Sequence, residues 1–173
     1  MNGIFITTEL DGPVAARIRA IQEKFDPKLA RELPPHVTII GSSGAGPISP
    51  DSTVNDLKAA ILPVTGSTPP LTLKFQPPMR FIGREIVVLP LDPHGTMRAL
   101  HESIKSSGIV YETARWPFTP HCTLNYYATL TPDTLRPLLA VREPDSWVMR
   151  TLRVYHSRDG APPKLLFDAP LGG

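Results

Sequence analysis

Short apolar runs alternate along this chain with stretches of helical period, and the order of the two kinds predicts an α+β protein. Ile4 to Leu10 (IFITTEL) reads as a strand. Gly12-Pro13 then opens a helix whose apolar positions Val14, Ile18, Ile21 and Phe25 recur at helical spacing, with Pro27 just past its end. A strand follows over Pro35 to Ile40, stopped by Gly41-Ser42-Ser43-Gly44-Ala45-Gly46, which reads as a mobile surface loop. Ser49-Pro50-Asp51 starts a second helix through about Ile61, and Leu71 to Phe75 alternates Thr and Lys against apolar residues, as a strand with one covered face does.

The same order returns in the second half. Ile86 to Leu91 reads as a strand, Gly95 to Ser107 as a helix with Met97, Leu100 and Ile104 on one face, and Phe118 to Tyr126 as another strand. Thr131-Pro132-Asp133 opens a helix to about Val141, Trp147 to Tyr155 forms a long strand and Leu165 to Phe167 a short closing one. This is the pattern of a duplication. It predicts one domain over residues 1–173, built as two lobes of about 1–76 and 86–173 around a pseudo-two-fold axis, with intertwining allowed.

Composition narrows the class. At 173 residues and 41% hydrophobic content the chain can bury a real core. A single cysteine, Cys122, excludes an internal disulfide framework, and no secretory signal pattern precedes Gly3-Ile4-Phe5-Ile6, so a cytoplasmic location is expected. No apolar run approaches the roughly 20 residues that cross a bilayer. The net charge of +2 comes without a basic run, so charge alone does not argue for nucleic acid. The 21 prolines sit in pairs at apparent element ends and read as rigid turns.

Within this framework one phrase occurs twice: Pro35-His36-Val37-Thr38 and Pro120-His121-Cys122-Thr123, with the histidines 85 positions apart (121 − 36). Two chance copies are expected on the order of once in several thousand chains of this composition, so the pair carries far more weight than one copy would. In a strand, residues i and i+2 share a face, so His36 lies with Thr38 and His121 with Thr123, while Val37 and Cys122 turn inward. Two lobes about a two-fold axis set the motif strands facing each other across one cleft. One imidazole can then act as general base while the other, protonated, acts as general acid. The threonine hydroxyls can donate to non-bridging phosphate oxygens. Acid–base attack on a phosphodiester follows, with no metal and no cofactor.

At these residues the chain resembles the 2H phosphoesterase superfamily, which includes the bacterial and archaeal 2′-5′ RNA ligases and 2′,3′-cyclic phosphodiesterases. The resemblance rests on both H-x-T phrases, their spacing and the repeated half, and so covers nearly the whole chain. It implies a bilobal α+β fold with two antiparallel sheets lining a central cleft and helices outside. It also implies hydrolysis of 2′,3′-cyclic phosphates of nucleotides or RNA ends, with weak 2′-5′ ligation as a companion activity. His36 and Thr38 match the first motif, His121 and Thr123 the second; by family analogy His36 is the acid and His121 the base. The expected partner is a nucleotide or an RNA end with a 2′,3′-cyclic phosphate or a 2′-5′ linkage, and the expected state is a monomer. The alternatives are a nucleotide- or RNA-binding module without turnover and a 2′-5′ ligase acting on tRNA halves. The scattered basic residues Arg80, Arg84 and Arg115 count against a long RNA.

Other residues are weaker candidates. Arg115 and Trp116 either reach phosphate and base or form a loop cation beside a packed aromatic. Arg84 is a further candidate cation for substrate. Of Tyr126 and Tyr127 at most one can join the cleft wall as a stacking platform, and a core role is the default for both. Cys122 is expected as a buried thiol, and His94, His101 and His156 as surface residues. Zinc is disfavoured because Thr is not a zinc ligand and no third or fourth ligand stands at a metal-like spacing.

Overall fold

A computed structural model describes residues 2–172 of the chain. Seven strands form one antiparallel sheet in the order β4-β5-β6-β2-β1-β8-β9, and β3 and β7 form a second, two-stranded sheet. The strands are β1 (Gly3–Glu9), β2 (His36–Ile40), β3 (Leu71–Lys74), β4 (Met79–Arg80), β5 (Val87–Pro90), β6 (His121–Asn125), β7 (Ser146–Met149), β8 (Thr151–Arg158) and β9 (Ala161–Pro170). Five helices accompany them: α1 (Gly12–Phe25), α2 (Pro27–Glu32), α3 (Val54–Gly66), α4 (Gly95–Lys105) and α5 (Pro132–Ala140). The α+β class, with a large antiparallel sheet and a small one, is as the sequence predicts. The two motif strands do not face each other from opposite sheets, however. They are neighbours in the large sheet, paired antiparallel at Val37 and Cys122.

That pair lies on a local two-fold axis, because the ladders on either side of it repeat. On one side Glu9, Thr8 and Thr7 oppose His36, Val37 and Thr38; on the other Pro90, Leu89 and Val88 oppose His121, Cys122 and Thr123. Each ladder slips register at the same place, between Ile6 and Thr7 and between Val87 and Val88. The small sheet obeys the same symmetry, since Leu71 pairs with Met149 and Lys74 with Ser146. Strands that swap partners across the axis bury one continuous core, which includes Ile6, Ile18, Ile39, Ile61, Leu89, Ile104, Leu124 and Leu152.

Several elements depart from expectation for local reasons. Pro27 ends α1 but also starts α2, because Asp26 caps it by accepting a hydrogen bond from Leu29 N and proline suits the first turn. Helix α3 begins later than expected, after the Thr53 cap, and continues through Pro63 to Gly66. The stretch 147–155 is two strands. Its buried residues shift phase, Trp147 and Met149 in β7 but Leu152 and Val154 in β8, and the chain changes sheets at Arg150. β9 is far longer than Leu165 to Phe167 and contains Pro162 and Pro163, which the outer edge of a sheet accommodates because one side of the strand makes no ladder bonds.

Candidate active site

In both motif strands the burial alternates identically: His36 and His121 partly exposed, Val37 and Cys122 buried, Thr38 and Thr123 partly exposed, then apolar residues buried. With Val37 opposite Cys122, the antiparallel register sets His36 across from Thr123 and Thr38 across from His121. All four side chains therefore stand on one face of the sheet, in two diagonal pairs around the axis.

Main-chain carbonyls fix both rings in the same way. His36 Nδ1 donates to Pro34 O at 2.8 Å and His121 Nδ1 to Thr119 O at 2.7 Å. A carbonyl can only accept, so Nδ1 carries the proton in each neutral ring, and Nε2 is left with its lone pair for chemistry. Burial pushes both imidazoles below their ordinary pKa of 6.5. At His36 the Pro34 carbonyl bond and the charge of Glu9 oppose this shift; at His121 the Thr119 bond opposes it while the neighbouring His36 adds to it. Cys122, beneath the axis, has its thiol pushed up to about 12 by burial, so it sits in the core as a neutral thiol, as expected.

Further residues hold this arrangement. Gln22 of α1 donates to Thr123 O at 2.8 Å and so pins the second motif strand. Gly41 packs against the methyl of Thr38 and the ring of Phe5. The rings of Phe81, just past β4, and His121 pack perpendicular to each other with centroids 5.1 Å apart. On the other side of the axis Glu9 accepts a hydrogen bond from Tyr155 OH at 2.8 Å and an ion pair from Arg153, whose Nε also lies 3.5 Å from Asp168. Sequence reasoning missed these residues. The readable signal was polar Thr7 and Glu9, and Arg153 and Tyr155, recurring at alternate positions within otherwise apolar strands.

The weaker candidates are scattered. Arg115 and Trp116 are exposed, and their backbone pairs with the Ser42–Gly44 segment through Arg115 N to Ser42 O at 3.0 Å and Gly44 N to Trp116 O at 2.8 Å. The Gly41–Gly46 segment is thus not a free surface loop, and Gly41, Ala45 and Gly46 are buried. Arg84 is exposed in the β4–β5 turn, where its carbonyl accepts from Arg80 Nε at 2.8 Å. Tyr126 and Tyr127 belong to no core: they are 54% and 43% exposed, because β6 ends at Asn125 and the chain turns so that their N–H groups both meet Asp26 Oδ2 at 2.7 Å. His101 is the reverse case. It is fully buried, stacked on Phe118 at 4.0 Å, with Nδ1 donating to Ile39 O at 2.8 Å, because its position on α4 faces the sheet.

Two hollows lie elsewhere. One of about 550 Å³ is lined by Asp51, Asp56 and Val110, the other of about 270 Å³ by Phe75, Arg142 and Glu143. Neither contains a histidine, so the open face carrying the two H-x-T pairs is the better candidate for chemistry. Among the described residues no group of three His, Cys, Asp or Glu side chains is placed to hold a metal ion, and no helix is long and apolar enough to cross a membrane.

Comparison with known proteins identifies the family and the fold. A family model described as the 2′-5′ RNA ligase superfamily matches residues 10–161. Similar solved structures include TT0787 of Thermus thermophilus, at 20% identity and a TM-score of 0.69, covering 100% of this chain and 99% of that one. E. coli LigT complexed with 3′-AMP is 20% identical with a TM-score of 0.64, covering 99% of each chain. A structure described as a phosphoesterase is 17% identical with a TM-score of 0.64 over 100% of both chains. A search of curated proteins gave no match.

Proposed function

Because the chain belongs to the 2′-5′ RNA ligase superfamily, we propose that it hydrolyses 2′,3′-cyclic phosphates of nucleotides or RNA ends by two-histidine acid–base catalysis. The observation that carries this reading is the Val37–Cys122 pair, which puts two histidines and two threonines on one face with each Nδ1 tied to a carbonyl. Neutral His121 Nε2 takes the proton of an attacking water. Protonated His36 Nε2 donates to the ribose oxygen that leaves phosphorus, and the P–O bond of the ring breaks as the water P–O bond forms. Thr38 and Thr123 donate to the non-bridging oxygens as negative charge grows on them. Each histidine ends with the other's proton state, so proton exchange with water resets the pair. With a ribose 5′-hydroxyl in place of water, the same forward steps join a 2′-5′ linkage: the new P–O5′ bond forms as the ring P–O3′ bond breaks, and the 3′-oxygen leaves as a hydroxyl with the proton from His36.

The 3′-AMP held by E. coli LigT supports a nucleotide as the ligand class. The apolar flank beside His121, where Met79 and Phe81 reach the surface, suits a nucleobase, whose faces gain from desolvation and stacking. The test is a substrate screen of the purified protein with 2′,3′-cyclic mononucleotides, cyclic-ended oligonucleotides and 2′-5′ dinucleotides. Opening of a cyclic phosphate to a monoester is expected. Tight mononucleotide binding with no turnover on any of them would replace the enzyme with a binding module.

A further inference from the structure

The local two-fold axis makes the two histidines equivalent in backbone, yet their surroundings differ in kind. Matching the ladders about the axis sets Thr7 against Val88, Glu9 against Pro90, Arg153 against Met79 and Tyr155 against Phe81. The half of the face beside His36 is thus hydroxylic and charged, while every matched position beside His121 is apolar. Glu9 and His36 are directly opposed, and because Leu10 N donates to Pro35 O one residue further on, theirs is a non-hydrogen-bonded pair. Such pairs bring Cα atoms to about 4.5 Å and side chains closest together. The identical pair on the other side, Pro90 with His121, has no carboxylate to offer.

From this we infer that Glu9, clamped by Tyr155 and Arg153, is a positioning residue that keeps the catalytic proton on His36 and so gives a symmetric site its direction. The inference rests on the two-histidine reading above. The charged and titratable groups that face His36 are Glu9 of β1, His121 of β6, and Arg153 and Tyr155 of β8, with Asp168 of β9 behind Arg153. Arg153 does not cancel Glu9, for two reasons. It stands one strand further from His36, about 4.8 Å across the sheet, and it shares its charge with Asp168. Its bond to Glu9, with that of Tyr155 OH, instead holds the carboxylate in place. A carboxylate next to an imidazole favours the imidazolium, whereas a second imidazole disfavours it. Both effects act in the same sense here: His36 gains the proton first, and once charged it holds His121 neutral.

Histidine titration by NMR on the full chain tests this without requiring turnover. In the parent, His36 should titrate at higher pH than His121. Glu9→Gln should lower the His36 midpoint by about one pH unit and leave His121 unmoved or slightly raised, while Glu9→Asp, which keeps the charge, should restore most of the difference. Where a cyclic substrate is turned over, the basic limb of kcat/KM should move down by the same amount in Glu9→Gln. An unmoved His36 in Glu9→Gln, or a parent in which His121 titrates above His36, overturns the inference, and the second outcome is decisive even if the variants fail to fold. Absence of turnover on every cyclic substrate would overturn the proposed activity alone, since the midpoints would still report what Glu9 does.

Discussion

A methyl group built on Gly41 would stand 2.7 Å from Thr38 Cγ2, closer than real carbon atoms approach. Thr38 is β-branched and stiff about χ1, and Phe5 Cδ1 at 3.2 Å from the same point blocks the other way out. The missing side chain at Gly41 therefore leaves room for the Thr38 methyl, and any larger residue there would push Thr38 out of its rotamer. Replacing Gly41 with alanine should cut kcat/KM roughly tenfold or more, the scale of one lost hydrogen bond to a charged oxygen. Thr38→Val should lose a similar amount and the double variant little more, which a double-mutant cycle would read as strong coupling. Fully additive losses would separate Gly41 from Thr38.

His101 predicts how stability responds to acid. Burial holds its pKa below 6.5, more strongly than the Ile39 carbonyl bond and Glu102 raise it. The unfolded chain thus binds a proton that the folded one refuses, and ∂ΔG/∂pH is positive from 6.5 down to the depressed folded value. His36 and His121 are depressed too and add slope of the same sign. The melting temperature should be level above about pH 7 and fall as pH drops below 6.5. His101→Gln, which can still donate to Ile39 O but does not titrate near neutrality, should melt lower at pH 8 yet show a shallower decline toward pH 5. An unchanged slope would place the acid sensitivity elsewhere.

Asp26 joins two distant segments by accepting from Leu29 N through Oδ1 and from Tyr126 N, Tyr127 N and Ala128 N through Oδ2. Burial works to raise its pKa, but these backbone donors together outweigh it and hold the group below 3.8. Asp26→Asn must turn an amide against part of this donor set. A loss of about 2–4 kcal/mol is expected, the cost of breaking charged hydrogen bonds in a buried place. For a chain of this size that is a fall of about 4–16 °C in melting temperature. In the parent, this contribution should be intact above pH 4 and disappear as pH falls through the depressed folded value. A variant that melts within 1 °C of the parent would show that the loop after β6 does not depend on Asp26.

Much of this architecture was legible because period and punctuation agree with the fold. Helices α1, α4 and α5 and the two motif strands follow from apolar spacing, Gly-Pro and Thr-Pro starts, and the repeated H-x-T. Whether the motif strands face each other or lie side by side was not legible, since pairing is a long-range choice that the local pattern of either strand leaves open. The phase slip between Met149 and Leu152 could have revealed the change of sheet, but reads as noise in a long apolar run. His101 misled because a polar residue on an amphipathic helix is normally outside, whereas here a carbonyl of the sheet and the Phe118 ring receive it. Glu9, Tyr155 and Arg153 belong to two strands 146 residues apart at Glu9 and Tyr155, and only their register shows them as one cluster.

The roles of proton carrier and phosphate anchor make separable predictions at the four motif residues. On the proposed mechanism His36→Ala and His121→Ala each remove a group that moves a proton in the transition state, so turnover should fall by about 10²–10⁴-fold. Their melting temperatures should change little at pH 8, since both rings are partly exposed and neutral there. The parent should show a bell-shaped kcat/KM, with macroscopic limbs belonging to the coupled pair of imidazoles. Thr38→Val and Thr123→Val take away a hydroxyl at nearly constant shape and nothing that titrates in this range, so each should lower the whole bell without moving its limbs. A rise in KM alone would assign the hydroxyl to ground-state binding; a fall in kcat as well would show that it meets charge as it develops on phosphorus. Retention of near-parental activity by either alanine variant on every cyclic substrate would falsify the two-histidine mechanism.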